Sequence, residues 1–427
     1  MRRRNDQRMR RLARPAGPVV VAALAILVTA CSGGGSSANS HGSTAHGGKT
    51  KAASTPKVTI TPANGSTNVD PSGGITVTAT TGTLRNVTVR TAGDEVTGSL
   101  SDGGKVWHSQ WTLDVSQSYT VTATSSDGSA VTSSFRTLTP SQTFQTQIFE
   151  GYKQQYGVGM PIILTFSQPI TNKAAVEQSL QVATSTPVVG AWYWDGSQTL
   201  VFRPRDYWPT GTTVSFTGHL NGVTGGSGLY GDHTLSQTFD IGPALVAIAN
   251  TATHHTQIYY DGKLRYDWPI SSGKPGDATP DGSYLTIEKH NPVRMKGPGY
   301  NILVPWSVRF TFSGDYYHDA YWSVGQQGFE NVSHGCVNLS PADSEIYYKL
   351  VVPGDPITVV NSPKAGKWDN GWTEWFLTWQ QFLQGSALHE AVQTGPTGST
   401  FVDPSTLPAS TASAPIGTSP ADNAVAH

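Results

Sequence analysis

The chain has 427 residues, of which 13% are charged, about half the ~25% usual in globular proteins. Its formal net charge of −1 sums two unequal parts: residues 1–30 carry seven Arg and one Asp, a net of +6, and the remainder holds 21 basic and 28 acidic residues, a net of −7. The body of the chain therefore lacks the basic surface that nucleic acid or anionic lipid headgroups need, and nucleic acid is excluded as a partner.

The first thirty residues read as a targeting segment. "MRRRNDQRMRRLARPAG" is a cationic n-region, and "PVVVAALAILVTA" is an apolar run of thirteen, too short to span a bilayer and suited to a signal-peptide core. The Arg10-Arg11 pair lacks the rest of a twin-arginine motif. The run ends in Val28-Thr29-Ala30-Cys31-Ser32, which resembles the bacterial lipobox. That resemblance implies lipidation of Cys31, a membrane lipoprotein, and an extracytoplasmic location facing the cell wall. Residues 31–57 follow as a Gly/Ser/Ala tether, on which His41 and His46 are solvated linker residues rather than metal ligands.

Beyond the tether the pattern is mainly β, with Tyr, Trp, Val and Ile alternating with Thr and Ser in short runs. Residues 58–140 alternate as half-buried strands do: Tyr119 and Val121 fall on one face, Thr120 and Thr122 on the other. Asp127-Gly128 marks a hairpin turn, and the strand spacing predicts an immunoglobulin-like sandwich. Residues 141–243 predict a second, more irregular module of that kind, with a hairpin at Asp195-Gly196. Trp192, Tyr193 and Trp194 there are read as core or seam residues rather than a ligand groove. Residues 244–362 form a third β-rich block. In residues 363–393, Trp368, Trp372, Trp375, Trp379 and Phe382 recur at helical intervals, which predicts one helix docking an aromatic stripe on a neighbouring domain. Residues 394–427, rich in Pro, Ser, Thr and Ala, are expected to be disordered.

The chemistry concentrates at Cys336. If Cys31 carries lipid, Cys336 has no disulfide partner, because the chain contains only two cysteines. An unpaired cysteine outside the cytoplasm is either a small core residue or a nucleophile. Its neighbours Ser333, His334, Gly335 and Asn338 are polar and hinged by glycine, unlike a core strand. Peptide N–H groups beside such a turn can face a developing oxyanion. Two histidines could activate the thiol. His334 lies two residues away and shares a face on an extended segment, while His318 is separated from Ser333 by fourteen residues. Spacing alone leaves both open. A metal site built on His254, His255 and His318 is disfavoured, because adjacent strand residues point to opposite faces and no zinc-type spacing is present.

His318, fourteen residues, then Ser333-His334-Gly335-Cys336-Val337-Asn338 resembles the signature of the L,D-transpeptidase catalytic domain, the YkuD fold. "IYYDGKLRYDWPISSGKPGDATPDGSYLTIEKH", with its turn Thr279-Pro280-Asp281-Gly282, is similar to the family's opening strands. The order of lipobox, two immunoglobulin-like modules, catalytic domain and Trp-rich helix resembles multidomain actinobacterial members. The resemblance implies that Cys336 is the nucleophile and His318 the general base and acid. It implies that Ser333, His334 and Gly335 shape the site, that Ser333 or a backbone carbonyl orients His318, and that Asn338 holds the loop. Relatives often carry a small residue after the histidine, whereas this chain has Asp319. If its carboxylate faced the imidazole it would favour an ionised pair; if only its carbonyl mattered, nothing would change.

The implied reaction is acyl transfer on peptidoglycan stem peptides: a thioester on Cys336, loss of D-Ala, then a 3→3 cross-link. No cofactor or metal is needed, and carbapenem-type β-lactams are expected covalent inhibitors. Tyr300, Tyr316, Tyr317 and Trp322, with the Gly-rich segment 296–301, are candidate lid residues. The alternatives are an L,D-carboxypeptidase with the same machinery and a cell-wall-binding lipoprotein with an inactive enzyme domain.

Overall fold

The computed structural model describes residues 57–297 and 299–408. The expected signal segment, Cys31, most of the expected tether and residues 409–427 lie outside the described residues. Strands dominate, and among the described residues no helix is long and apolar enough to cross a membrane.

The first module is a two-sheet sandwich. One sheet runs Val58–Thr61, Thr76–Ala79, Val106–Ser109, Gly98–Ser101; the other runs Leu84–Arg90, Ser118–Ser125, Ala130–Arg136. The alternation in Ser118–Ser125 sends Tyr119, Val121 and Ala123 inward, as a period of two requires. They meet Val77, Trp107 and Phe135 in a core of their own. Gly128 turns the expected hairpin with φ +88°.

The second module is a ten-stranded sheet around an aromatic core that includes Trp192, Trp194, Phe202, Trp208 and Phe216. Trp192 and Trp194 are therefore core residues. Tyr193 is half-buried and stacks on Phe382 in the seam with the C-terminal segment.

The C-terminal segment departs from the expected helix. It is helical only in a 3-10 turn, Glu374–Phe376, and a six-residue α-helix, Trp379–Gln384, whose start is fixed by a capping box between Thr378 and Gln381. Gly371, at φ +142°, and His389, at φ +55°, interrupt the run on either side. The indoles go to separate places. Trp372 packs edge-on to Phe149, Trp375 edge-on to Tyr207, and Trp368 edge-on to Tyr193. The aromatic spacing reflects a strap wound around the second module, with Arg203 held between Trp375 and Phe382. The expected disordered tail also begins too early. Residues 391–402 form a hairpin, Ala391–Gly395 with Gly398–Val402, and its first strand inserts into the second module's sheet between Leu180–Thr184 and Val189–Asp195.

The third block holds two sheets over a shared core. The larger is ordered Lys263–Pro269, His255–Tyr260, Leu245–Asn250, Pro356–Val360, Gly282–Leu285. The smaller is ordered Glu288–His290, Ser307–Arg309, Tyr316–Asp319, Val337–Leu339. Helix Pro341–Leu350 closes the core through Tyr347. It starts at Ser340, which accepts the Asp343 N–H at 3.1 Å. A separate hairpin, Val293–Gly297 with Tyr300–Val304, stands beside the smaller sheet.

Candidate active site

Strand Tyr316–Asp319 runs parallel to Val337–Leu339, with Tyr317 beside Val337 and His318 beside Asn338. Tyr317 and Val337 are wholly buried in the core. Alternation therefore puts His318 and Asn338 on the opposite face, and Cys336, two residues before Asn338, shares that face. His318, Cys336 and Asn338 line one cleft of about 380 Å³. Met295, Tyr300, Ile302 and Val304 of the hairpin form one wall, and Trp322 with Gln326 forms another.

The imidazole is fixed in one tautomer. Nδ1 of His318 lies 2.8 Å from the Asp319 carbonyl, which can only accept, so Nδ1 carries the proton and Nε2 keeps a lone pair. Burial pulls His318 down to about 4, against the opposing pull of that carbonyl. The Asp319 carboxylate accepts the Tyr321 N–H at 3.0 Å instead of facing the ring. Of the two readings of Asp319, the geometry selects the carbonyl.

Cys336 keeps part of its surface open. Its Sγ donates weakly to the Gly314 carbonyl at 3.9 Å, and the Tyr316 backbone N–H faces the sulfur. Burial pushes the thiol up to about 12, and the Asp315 carboxylate pushes the same way. The resting pair is thus neutral thiol and neutral imidazole.

The loop that presents the thiol is tightly specified. Gly335 sits at φ +128°, and a Cβ there would lie 2.3 Å from Asp315 Oδ1, so only glycine fits. Ser333 Oγ donates to the Cys336 carbonyl at 2.6 Å and accepts the Gly335 N–H at 3.1 Å. Thr279, in the Thr-Pro-Asp-Gly turn, donates to the Gly335 carbonyl at 2.7 Å and accepts the Gly273 N–H at 2.9 Å. Asn338 donates to Ser323 Oγ at 2.9 Å, and its backbone N–H bonds Ser271 at 2.9 Å.

The YkuD family, the L,D-transpeptidase catalytic domain, matches residues 245–359, and the bacterial Ig domain family matches residues 66–224. L,D-transpeptidase 2 of Mycobacterium tuberculosis (strain CDC 1551 / Oshkosh) is 31% identical over 347 residues, covering 78% of this chain and 85% of that protein. The chain belongs to the L,D-transpeptidase family. L,D-transpeptidase 5 of Mycobacterium tuberculosis (strain ATCC 25618 / H37Rv) is 34% identical over 352 residues, covering 78% of this chain and 77% of that protein. An LD transpeptidase solved in complex with imipenem is 33% identical, with a TM-score of 0.45 over 52% of this chain and all of that one. L,D-transpeptidases act on peptidoglycan peptides, and membership makes this chain a transpeptidase.

Within this L,D-transpeptidase several expected site residues take different places. Tyr317 is no lid: it is wholly buried, its hydroxyl pairs with Thr256 at 3.0 Å, and it packs against Phe310 and Tyr347. Tyr316 is also largely buried, whereas Tyr300 and Trp322 do line the cleft. Ser333 stitches its own loop, and the Asp319 carbonyl orients His318. His334 is exposed and turned to Lys274, with Nε2 to Nζ at 2.9 Å, while Tyr300 leans on its ring. An ammonium can only donate, so Nε2 of His334 is occupied as an acceptor. His254 and His255 bond Asn331 and Asp267 respectively.

Sequence reasoning missed Asp315, Asn331 and Ser323. Asn331 accepts from Ser272 at 2.7 Å and donates to the Thr251 carbonyl at 2.8 Å, tying the cysteine loop to the larger sheet. None of the three sits in a recognisable motif. Thr279 did carry a signal, the turn that resembles the family's, although that signal did not give its partner.

Proposed function

We propose that the chain forms 3→3 cross-links in peptidoglycan through a thioester on Cys336. Sγ attacks the carbonyl of the third residue of a tetrapeptide stem. As the S–C bond forms, the thiol proton passes to Nε2 of His318. The C–N bond to terminal D-Ala breaks, and the same proton leaves on the D-Ala amine. The side-chain amine of a diamino acid on a second stem then attacks the thioester. An N–C bond forms, the C–S bond breaks, and one amine proton returns through His318 to sulfur. The Tyr316 N–H is a donor for the developing oxyanion.

The observation that carries this reading is the fixed tautomer: a buried imidazole whose free Nε2 shares one sheet face and one cleft with an accessible thiol. Incubation with a disaccharide-tetrapeptide, followed by mass spectrometry, tests it. D-Ala release with dimer formation is expected, together with loss of both in Cys336→Ala and a single carbapenem adduct on Cys336. D-Ala release without dimer would assign an L,D-carboxypeptidase, and no release would refute the enzyme reading.

The location proposed is outside the cytoplasm, on a lipid anchor at Cys31, supported by the lipobox-like segment. Membrane fractionation of the full chain against Cys31→Ala checks it; equal membrane association of both would reject the anchor.

A further inference from the structure

The cleft poses an electrostatic problem. A tetrapeptide stem ends in a D-Ala carboxylate, and among the described residues the lining of the cleft holds no Lys, Arg, Asp or Glu, the Asp315 carboxylate near the sulfur lying outside that lining. Desolvating that carboxylate against uncharged walls is unfavourable unless a cation or strong donors meet it. The carboxylate carbon lies three covalent bonds from the scissile carbonyl carbon, about 3–4 Å away, so its partner must stand beside the sulfur. A cation fastened to the cysteine loop is Lys274, paired with His334. Lys274 Nζ is 2.9 Å from His334 Nε2, and the Lys274 N–H donates to the Ser333 carbonyl at 2.9 Å, so the lysine is anchored to the motif itself. Asp277 stands 3.4 Å from Nζ and Tyr300 packs on the His334 ring, which together hold the pair in place. With Nε2 accepting from the ammonium, the ring proton of His334 sits on Nδ1, polarised by the neighbouring positive charge.

Resting on the acyl-transfer reading above, we infer that Lys274 and His334 form the recognition site for the terminal D-Ala carboxylate of the donor stem. His334 supplies a polarised ring N–H at the cleft wall, and Lys274 supplies the charge from behind it. Lys274 acts through His334 and is a positioning residue. The site makes the enzyme select donors whose last residue has a free carboxylate, which every tetrapeptide stem has.

The test uses the full chain and three disaccharide-tetrapeptides: the free acid, the C-terminal D-alaninamide, and one amidated only at the distal carboxyl of the diamino acid. For the wild type, KM is expected about tenfold higher on the D-alaninamide than on the free acid, the size of one charge-assisted contact. Lys274→Met should raise KM for the free acid about tenfold, leave the D-alaninamide unchanged and leave kcat nearly so. Lys274→Arg should recover part of the preference. Thermal melts confirm that each variant is folded. Equal losses on both donors, or a wild type indifferent to amidation of D-Ala, would overturn the inference while leaving transpeptidation standing. A preference that follows the distal carboxyl instead would overturn it in favour of that group. Absence of D-Ala release from all three donors would remove the acyl-transfer reading and this inference with it.

Discussion

At Cys336 two neighbours oppose ionisation, the surrounding protein and the Asp315 carboxylate, and one N–H favours it. Alkylation by iodoacetamide should therefore be slow between pH 7 and 9 and rise only at higher pH, while carbapenem acylation should proceed at neutral pH if His318 takes the proton during attack, as proposed. Rapid alkylation at pH 7 would mean a preformed thiolate. His318 gives a stability prediction whose sign is fixed. Its folded pKa, about 4, lies below its ordinary 6.5, so between these values the unfolded chain binds the extra proton and stability falls as pH drops. A His318→Gln variant should lose less stability than the wild type on acidification from pH 6.5 to 4, read as a smaller fall in Tm. Gly335→Ala should abolish acylation, because the methyl group meets Asp315 and the backbone is left-handed; an acylating variant would show that the loop has another conformation. At this scale the cysteine and its glycine-hinged loop stood out in the residues themselves, whereas spacing left His318 and His334 both open and only the family resemblance preferred His318. The directions of Ser333, His334 and Tyr317 were not legible, since they depend on a parallel register between strands about twenty residues apart.

The strands were easier to read than the C-terminal segment. Alternation in Ser118–Ser125 and the Asp-Gly turns specify hairpins locally. The indole spacing, by contrast, imitated a helix, because a strap passing over a curved aromatic core also presents a large side chain every third or fourth residue. Thr394 reaches Thr184 at 2.7 Å across 210 positions, and no local pattern encodes such a pairing. The hairpin around Gly395-Pro396-Thr397-Gly398 lies within the residues expected to be disordered, because their Pro/Ser/Thr/Ala composition masks the turn. Trp375 is the firmest element of the strap, buried against Tyr207 and donating Nε1 to the Gly159 carbonyl at 2.9 Å. Trp375→Ala should cost about 3–5 kcal/mol, measured by chemical denaturation; a loss under about 1 kcal/mol would mean that the strap is not docked.

Across the whole molecule, the first module has its own core and touches the second through a few contacts, among them Trp111 stacked on His219 and the Val115 N–H on Asn221. The second module and the catalytic block are fastened more closely. The N–H groups of Gly157 and Gly159 bond the carbonyls of Pro353 and Gly354, and Leu285 joins the second module's core. Deleting residues 58–140 should leave D-Ala release from soluble muropeptides unchanged within about twofold. Residues 244–362 alone should melt at least roughly 10 °C lower, and an unaltered melt would show that the catalytic block is independent. The modular order was legible from composition and turns, but this unequal coupling was not, because it resides in backbone bonds to glycines.

The inserted strand Ala391–Gly395 also dictates the order of events during synthesis. A chain emerging from the ribosome with its N-terminus first can complete the first sandwich at once. The sheet of the second module must wait for a segment made some two hundred residues later. A product that stops before residue 391 would still contain Cys336 and His318, yet it would carry two unpaired strand edges in the middle of its largest sheet, an invitation to aggregate. Closure of the second module's sheet thus waits on residues 391–395, made long after the two strands they join.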